Sequence, residues 1–307
     1  MRAQLPFARG ACRGRDPRHP RLGGGDRPGP LAGGAYQHPS GKEYKLGQHG
    51  FARELPWQLV ATDGKSAEIR LISDNYTRER FPYDFDVRIT LTTGTPAELA
   101  RPTNGEATGG LVLWADIFGL RPLFDGHAQR LADDHGWVVV APELYPGEET
   151  MPIETRHARA ATFSDADKLA DAVAAADATG FEHVGVLGFC MGGMYAMKSL
   201  ASNRFSRAVA FYGMVRVPEQ WSGGTQGDAI DVVNERRERG DLHLLGIFGT
   251  NDPWCPLDQV AELEAAGAEV VRYDGADHGW AQDPTRDNYR EADATDAWAR
   301  AEAFLEG

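Results

Sequence analysis

The chain of 307 residues carries a formal net charge of −13, and 42% of its residues are hydrophobic, enough for a sizeable core. Such an acidic balance disfavours nucleic acid and anionic membrane surfaces as partners. No apolar run approaches the roughly 18 residues of a membrane-spanning helix. The three cysteines, Cys12, Cys190 and Cys255, do not suggest a disulfide framework and predict a reducing, cytoplasmic location. We expect a monomer or a homodimer.

The N-terminal part of the chain differs in composition from the rest. Residues 1–35 are rich in Arg, Gly and Pro, which predicts a disordered extension because little of it can enter a core. Residues 36–86 are predicted to be β-rich, and the motifs QHGFAR and FPYDFDVRITLT resemble the aldose 1-epimerase-like family. In that family such a His and Arg, here His49 and Arg53, contact sugar. Because the family's domain is several times longer, we interpret the segment as a fusion remnant whose last strand, about 85–93, forms an edge of the following sheet.

From Gly109 onward, apolar strand patterns alternate with amphipathic helical patterns. The predicted strands are GGLVLWA, WVVVAPE, HVGVLGF, RAVAFYG, LHLLGIFG and EVVRYD, and the predicted helices cover 122–135, 156–179, 191–201, 257–266 and 286–305. The alternation predicts an α/β domain over residues 87–307, a mostly parallel sheet with helices on both faces. Ligands of such sheets bind beyond the carboxyl ends of the strands. Residues 215–240 are predicted to be either a flap over that cleft or a mobile surface loop.

The stretch LGFCMGGMYA places Cys190 in a sharp turn between a strand and a helix. Gly188 precedes the cysteine by two positions, and Gly192 and Gly193 follow it. Glycines permit strained backbone angles and close approach, so the pattern G-x-C-x-G-G predicts a nucleophile elbow. The beginning of a helix favours the thiolate, and the backbone N–H of Met191 becomes available to an oxyanion. The alternative is an inert, buried structural cysteine.

A nucleophile of this kind needs a base and an orienting acid, which follow it in the order acid, then histidine. Asp252 lies just after the strand LHLLGIFG, and His278 lies in the loop after EVVRYD. Asp274 and Asp277 compete with Asp252 as the acid, but Asp252 is favoured because it follows an apolar strand. A turn-capping Asp252 and a surface His278 remain the alternatives.

Five motifs taken in order carry a resemblance to a known family over residues 87–307. They are WADIFGLRP, VVVAPELYPG, GFCMGG, GTNDPWCP and GADHGW, and together they resemble the dienelactone hydrolase family of α/β-hydrolases. The resemblance implies the α/β-hydrolase fold and hydrolysis of esters or lactones, of the carboxymethylenebutenolidase type. It also implies Cys190 as nucleophile, His278 as base and Asp252 as its orienting acid. The backbone N–H groups of Ile117 and Met191 would form the oxyanion hole.

The sequence departs from this family's pattern at two positions. The family usually has a Glu that contacts the resting thiol where this chain has Asp116. Dienelactone-specific members carry an Arg that holds a substrate carboxylate where this chain has Gln282. Because a buried carboxylate needs a cation, we expect neutral substrates to be preferred.

Aromatic and basic residues near the predicted strand ends are candidates for the substrate pocket. The aromatic candidates are Phe118, Tyr145, Phe189, Tyr212, Trp254 and Trp280, and the basic ones are Arg156 and Arg159. The alternative for the aromatic residues is the core, and for the arginines a solvated helix face.

The chemistry predicted from these residues is attack by Cys190 on a small-molecule ester, lactone or phosphotriester. No metal-binding motif and no dinucleotide-binding fingerprint is visible, so neither a metal nor another cofactor is expected. Two other classes of function remain: a thiol redox protein in which Cys255 resolves an oxidised Cys190, and a non-catalytic protein that binds sugar through His49 and Arg53.

Overall fold

A computed structural model of the chain describes residues 2–4, 7–9, 35–37, 43–45, 55–62, 66–80, 82–92, 95–148 and 150–307. The strands in chain order are β1 (Arg2–Gln4), β2 (Phe7–Arg9), β3 (Ala35–Gln37), β4 (Glu43–Lys45), β5 (Gln58–Thr62), β6 (Ser66–Ile72), β7 (Asp86–Thr92), β8 (Pro96–Ala100), β9 (Gly109–Trp114), β10 (Trp137–Pro142), β11 (Val184–Phe189), β12 (Phe205–Phe211), β13 (Leu244–Gly249) and β14 (Glu269–Tyr273). The helices are α1 (Asn75–Arg80), α2 (Pro122–His135), α3 (Ile153–Ala160), α4 (Asp165–Thr179), α5 (Met191–Ser199), α6 (Ala229–Arg239), α7 (Leu257–Ala265) and α8 (Glu291–Glu306), with a short 3₁₀ helix at Glu219–Trp221.

The chain divides into two units. The N-terminal unit is Pro6–Gly94, and the α/β unit combines Met1–Leu5 with Thr95–Gly307. The α/β unit therefore begins its main segment later than the expected residue 87. Among the described residues, no helix is both long and apolar enough to cross a membrane.

The N-terminal unit contains an antiparallel sheet in the order β2-β7-β6-β5 and a two-stranded pairing of β3 with β4. The predicted role of residues 85–93 as an edge of the hydrolase sheet is wrong, because β7 pairs along its length with β6 and also with β2. The expected disorder of residues 1–35 falls mostly on residues outside the described ranges, although β1 and β2 lie within it. His49, Arg53 and Cys12 also lie outside the described residues.

The α/β unit is built on an eight-stranded sheet in the order β1-β8-β10-β9-β11-β12-β13-β14. β8 is antiparallel to both of its neighbours, whereas the pairs from β10 to β14 are parallel. The central strands are buried on both faces, as expected when helices cover a parallel sheet on each side. Parallel strands connected through helices, with one antiparallel strand near the edge, make up the α/β-hydrolase fold, and this prediction is confirmed.

The structure corrects one predicted helix and adds a helix in one predicted loop. The single helix predicted over 156–179 is two helices, because the side chain of Ser164 accepts a hydrogen bond from the N–H of Asp167 and starts α4 anew. Residues 215–240, predicted to be either a flap or a mobile surface loop, include regular structure with buried side chains. They contain α6, whose Ile230 and Val233 are buried, and Trp221, which is buried against Trp254.

Candidate active site

Cys190 lies at the point where β11 gives way to α5. Its backbone has φ 57° and ψ −122°, a conformation that costs a non-glycine residue about 1–3 kcal/mol and persists where the surroundings enforce it. The N–H of Cys190 donates to the carbonyl of Phe211 at 3.0 Å, which ties the turn to the neighbouring strand β12. Cys190 as a whole residue is 8% exposed. The predicted elbow is therefore present, and it holds Cys190 at the carboxyl end of the sheet.

Glycine is needed at two positions of this turn, because backbone atoms of neighbouring residues occupy the space that a Cβ would fill there. A Cβ on Gly188 would lie within 3.0 Å of backbone atoms of Gly192 and Gly193. A Cβ on Gly192 would lie 2.6 Å from the carbonyl oxygen of Trp114 and still nearer to that of Ala115. The glycines thus let the start of α5 approach the end of β9.

We expect Gly192→Ala to lower the free energy of unfolding by about 2–3 kcal/mol or more, because rigid backbone must move to admit the methyl group. Gly126→Ala is the matched control, since Gly126 is exposed within α2 and a Cβ there would meet no atom within 4 Å. This second change should stabilise by roughly 0.5–1 kcal/mol. Urea unfolding of both variants measures the difference, and equal effects would contradict the close approach.

Asp252 and His278 are paired on the loops that follow β13 and β14. Nδ1 of His278 lies 2.8 Å from Oδ2 of Asp252, while Oδ1 of Asp252 accepts the N–H of Trp254 at 2.8 Å. The Asp252 side chain is fully buried, and the His278 side chain is 16% exposed. In the neutral imidazole this pairing places the proton on Nδ1 and leaves Nε2 as the basic atom. Nε2 makes no hydrogen bond with any described residue.

The charge on the His278 ring is governed by its neighbours. Burial alone would lower its pKa, but the negative charge of the Cys190 thiolate and the hydrogen bond to Asp252 together hold the pKa of His278 well above its usual range. The ring of Tyr212 packs edge-on against the imidazole at 5.2 Å, and Trp254 lies 6.0 Å away. The surroundings therefore favour the protonated form of the His278 imidazole.

Two backbone donors are available at the same edge of the sheet. Ile117 follows β9, Met191 follows β11, and these strands are adjacent. Over the described part of the chain, the N–H groups of Ile117 and Met191 have no hydrogen-bond acceptor within the protein. Unused backbone donors of this kind are what an oxyanion hole requires.

Asp116 is bound by cations and an amide instead of the thiol. Its carboxylate accepts two hydrogen bonds from Arg121, at 2.6 and 2.9 Å, and one from Nε2 of Gln282 at 3.2 Å. The guanidinium of Arg286 lies 3.8 Å from the same carboxylate. Among the described interactions, none joins Asp116 to Cys190, so the expected contact with the resting thiol is not observed.

Arg121 and Arg286 were not predicted from the sequence, although one lies within and the other shortly after a motif used for the prediction. Arg121 belongs to IFGLRP and comes shortly after Ile117, and Arg286 comes eight positions after His278. Both guanidiniums lie over the ring of Phe118, at 5.4 and 5.6 Å, and Phe118 is 38% exposed. Neither spacing marks a helix face or a known motif, and only the fold brings the two arginines together.

The predicted aromatic residues separate into those near the site and those in the core. Tyr212 and Trp254 contact the His278 ring, and the hydroxyl of Tyr145 lies 3.6 Å from Sδ of Met191. Phe189 was expected to line the cleft, but this is wrong. Its fully buried ring packs against Phe124, Phe211 and Trp298.

Trp280 and the two basic candidates also differ from the expectation of a cleft lining. Trp280 is fully buried and packs on Tyr273. The Arg156 guanidinium lies over the ring of Tyr145 at 4.8 Å and is buried. Arg159 forms a surface ion pair with Glu148. Arg156 is therefore a packing partner of Tyr145, and Arg159 is on a solvated face.

One cluster in the described residues has the ligand atoms that a metal ion uses. Single ligand atoms of Asp252, Cys255 and His278 all lie within 4.8 Å of one another. No metal-binding motif predicted this cluster, because Asp252 and Cys255 come from one loop and His278 from another.

A family model for the dienelactone hydrolase family matches residues 95–307. The chain belongs to the dienelactone hydrolase family. It is 27% identical over 246 residues to carboxymethylenebutenolidase from Rhodococcus opacus, covering 73% of this chain and 92% of that one. A candidate dienelactone hydrolase of known structure from Klebsiella pneumoniae is 28% identical, with a TM-score of 0.62, covering 70% of this chain and 94% of that one.

A third similarity concerns the fold alone. A dienelactone hydrolase-like promiscuous phosphotriesterase from metagenomic libraries is 15% identical, with a TM-score of 0.55, covering 79% of this chain and 98% of that one. Together with the family match, the comparisons establish a hydrolase of the dienelactone hydrolase type.

Proposed function

We propose that this dienelactone hydrolase family member hydrolyses small-molecule esters or lactones with Cys190 as the nucleophile. The observation that carries the proposal is the position of Cys190 in a strained turn. This turn lies at the same carboxyl end of the parallel strands as the buried Asp252–His278 pair. A strained backbone is stable only where the surrounding structure enforces it, and such strain clusters at functional sites.

The proposed reaction proceeds through an acyl-thioester. The thiolate of Cys190 attacks the carbonyl carbon, and the resulting oxyanion accepts hydrogen bonds from the N–H groups of Ile117 and Met191. Collapse breaks the C–O bond, and His278 gives its Nε2 proton to the departing alkoxide. His278, now neutral, removes a proton from water, which attacks the thioester and releases the acid. Asp252 keeps the imidazole oriented and compensates its positive charge.

A panel of p-nitrophenyl esters, lactones and phosphotriesters tests this proposal. We expect turnover of carboxylic esters or lactones, and intact-protein mass spectrometry of rapidly quenched samples should show an acyl group on the peptide that contains Cys190. Phosphotriesters are included because a protein of similar fold acts on them, and the same two N–H groups could hold a phosphoryl oxygen. A folded protein that turns over no member of the panel, or that acylates elsewhere, would contradict the proposal.

The charges around the site bear on which substrates it accepts. Both polar groups of the Gln282 side chain already form hydrogen bonds. Its amide nitrogen donates to Asp116, and its oxygen accepts from Tyr212. Burial raises the pKa of the Tyr212 hydroxyl, which therefore stays protonated and donates. Arg121 and Arg286 share the carboxylate of Asp116, and Arg286 also lies 3.8 Å from the carboxylate of Asp283. The positive charges of these two arginines are thus already opposed by two carboxylates.

We expect neutral esters to react with a kcat/KM at least tenfold above that of matched substrates bearing a carboxylate, a difference of about 1.4 kcal/mol. The measurement compares kcat/KM for two substrates that share the same reactive ester. One carries a distal methyl ester, and the other carries the free carboxylic acid at that position. Arg286→Gln serves as the second variant, because the guanidinium of Arg286 is partly exposed and lies against Gly279, the residue after His278. A wild-type preference for the acid that disappears in Arg286→Gln would reverse this prediction and identify Arg286 as its cation.

A further inference from the structure

Cys255 is a buried thiol that the proposed mechanism does not use. It is 1% exposed and lies on the loop after β13, three positions beyond Asp252. Its N–H donates to the carbonyl of Asp252 at 3.3 Å, so the two residues face each other across a tight turn. With His278 from the loop after β14, they bring a thiol, a carboxylate and an imidazole within 4.8 Å.

This set of ligand atoms matches the chemistry of zinc and other thiophilic divalent cations. Zinc binds thiolate at about 2.3 Å and imidazole or carboxylate at about 2.0–2.2 Å, so ligand atoms of a tetrahedral site lie roughly 3–4 Å apart. The Asp252–His278 pair is already at 2.8 Å. A spacing of two residues between the first two ligands is typical of zinc-binding turns. The cluster can therefore close around an ion with small side-chain movements.

The side chains of Asp252, Cys255 and His278 are buried or nearly so. A metal ion binds a deprotonated thiol and a neutral imidazole, so it displaces their protons when it binds. The two positive charges of a divalent cation then balance the thiolate of Cys255 and the carboxylate of Asp252.

We propose that Asp252, Cys255 and His278 form a reversible inhibitory site for a thiophilic divalent cation, with Zn²⁺ as the representative ion. The bound ion occupies the carboxylate and imidazole that catalysis needs, so metal binding and hydrolysis exclude each other. Water or the thiolate of Cys190 takes the remaining position. Binding itself does not depend on the proposed function, whereas inhibition rests on it.

The full-length protein, freed of metal with a chelator, tests the proposal by titration with Zn²⁺ against a chromogenic chelator. Cd²⁺ in a parallel titration reports thiolate coordination by its ultraviolet charge-transfer absorption. We expect Cys255→Ala and Cys255→Ser each to lose one binding site or weaken it at least tenfold, and to lose the Cd²⁺ absorption assigned to that site. The Zn²⁺ concentration that halves each variant's own hydrolytic rate should rise by the same factor. Asp277→Asn, a change of the exposed carboxylate next to His278, should leave Zn²⁺ affinity unchanged.

The variants distinguish this site from other metal-binding thiols and imidazoles of the chain. Any binding by the cysteine and histidines before residue 55 persists when Cys255 is replaced, so only the difference between wild type and the Cys255 variants counts. Zn²⁺ affinity that is unchanged in both Cys255 variants, or lost only in Cys190→Ala, would overturn the proposal. If no ester is hydrolysed, the proposed function fails, but the Zn²⁺ and Cd²⁺ titrations still decide whether the site exists.

Discussion

Cys190→Ala is expected to reduce ester and lactone hydrolysis at least about 10³-fold while leaving the protein folded, because the variant has no atom that can form the acyl intermediate. The methyl group of alanine fits in the space of the thiol, and the backbone at φ 57° is equally strained for both residues. Initial rates on the best ester of the panel measure the loss. Circular dichroism and the thermal midpoint check the fold.

Cys190→Ser is the matched control for this change, since it keeps an oxygen nucleophile in the same turn. A serine hydroxyl is much less acidic than a cysteine thiol, so His278 deprotonates it less readily. Activity should therefore fall between those of wild type and Cys190→Ala. If folded Cys190→Ala retains turnover close to that of wild type, another group attacks the substrate and the proposed mechanism is wrong.

Asp252→Asn is expected to lower kcat by roughly 10²–10⁴-fold with little change in KM. The carboxamide can present its NH₂ group to Nδ1 of His278, which moves the imidazole proton to Nε2 and removes the base. It also removes a negative partner, and since the hydrogen bond to Asp252 raises the pKa of His278, that pKa should fall in the variant. Kinetics and an NMR titration of the His278 ring report the two effects separately.

The two competing carboxylates provide controls for Asp252. Asp274 and Asp277 are exposed. Asp274 accepts from the hydroxyl of Thr250, and Asp277 accepts from the backbone N–H of His278. Asp274→Asn and Asp277→Asn should each change kcat less than about threefold, because neither contacts the imidazole ring. A loss in Asp277→Asn as large as that in Asp252→Asn would reassign the orienting acid.

The sequence alone was sufficient for the elements whose causes are local. The helix over 122–135 was predicted at the bounds of α2, where Pro122 starts the helix and Gly136, with φ 70°, ends it. The elbow at Cys190 could be predicted because glycines at fixed distances from the cysteine indicate positions where the backbone is strained or closely approached. Asp252 and His278 were identified from their positions just after apolar strands, and the structure places their side chains 2.8 Å apart.

Predictions that required knowledge of distant neighbours were the ones that the tertiary structure corrected. A break at Ser164 and the helix α6 were missed because a capping side chain and a weakly apolar helix give little signal in composition. Phe189 alternates along its strand in a way that suits either a core or a cleft. Only the stacking of Phe211 and Trp298 on its ring decides for the core.

What the sequence determined by itself was the alternation of strands and helices beyond Gly109, the turn at Cys190 and the identity of the paired acid and histidine. These follow from hydrophobic periodicity, glycine placement and the rule that ligands gather at the carboxyl ends of parallel strands. Only the tertiary structure decided that β1 forms one edge of the hydrolase sheet, that Arg121 and Arg286 meet on Asp116, and that Cys255 lies beside His278. Those contacts join residues far apart in the chain or in separate loops, and their distances depend on how the strands are ordered and how the loops fold back over them.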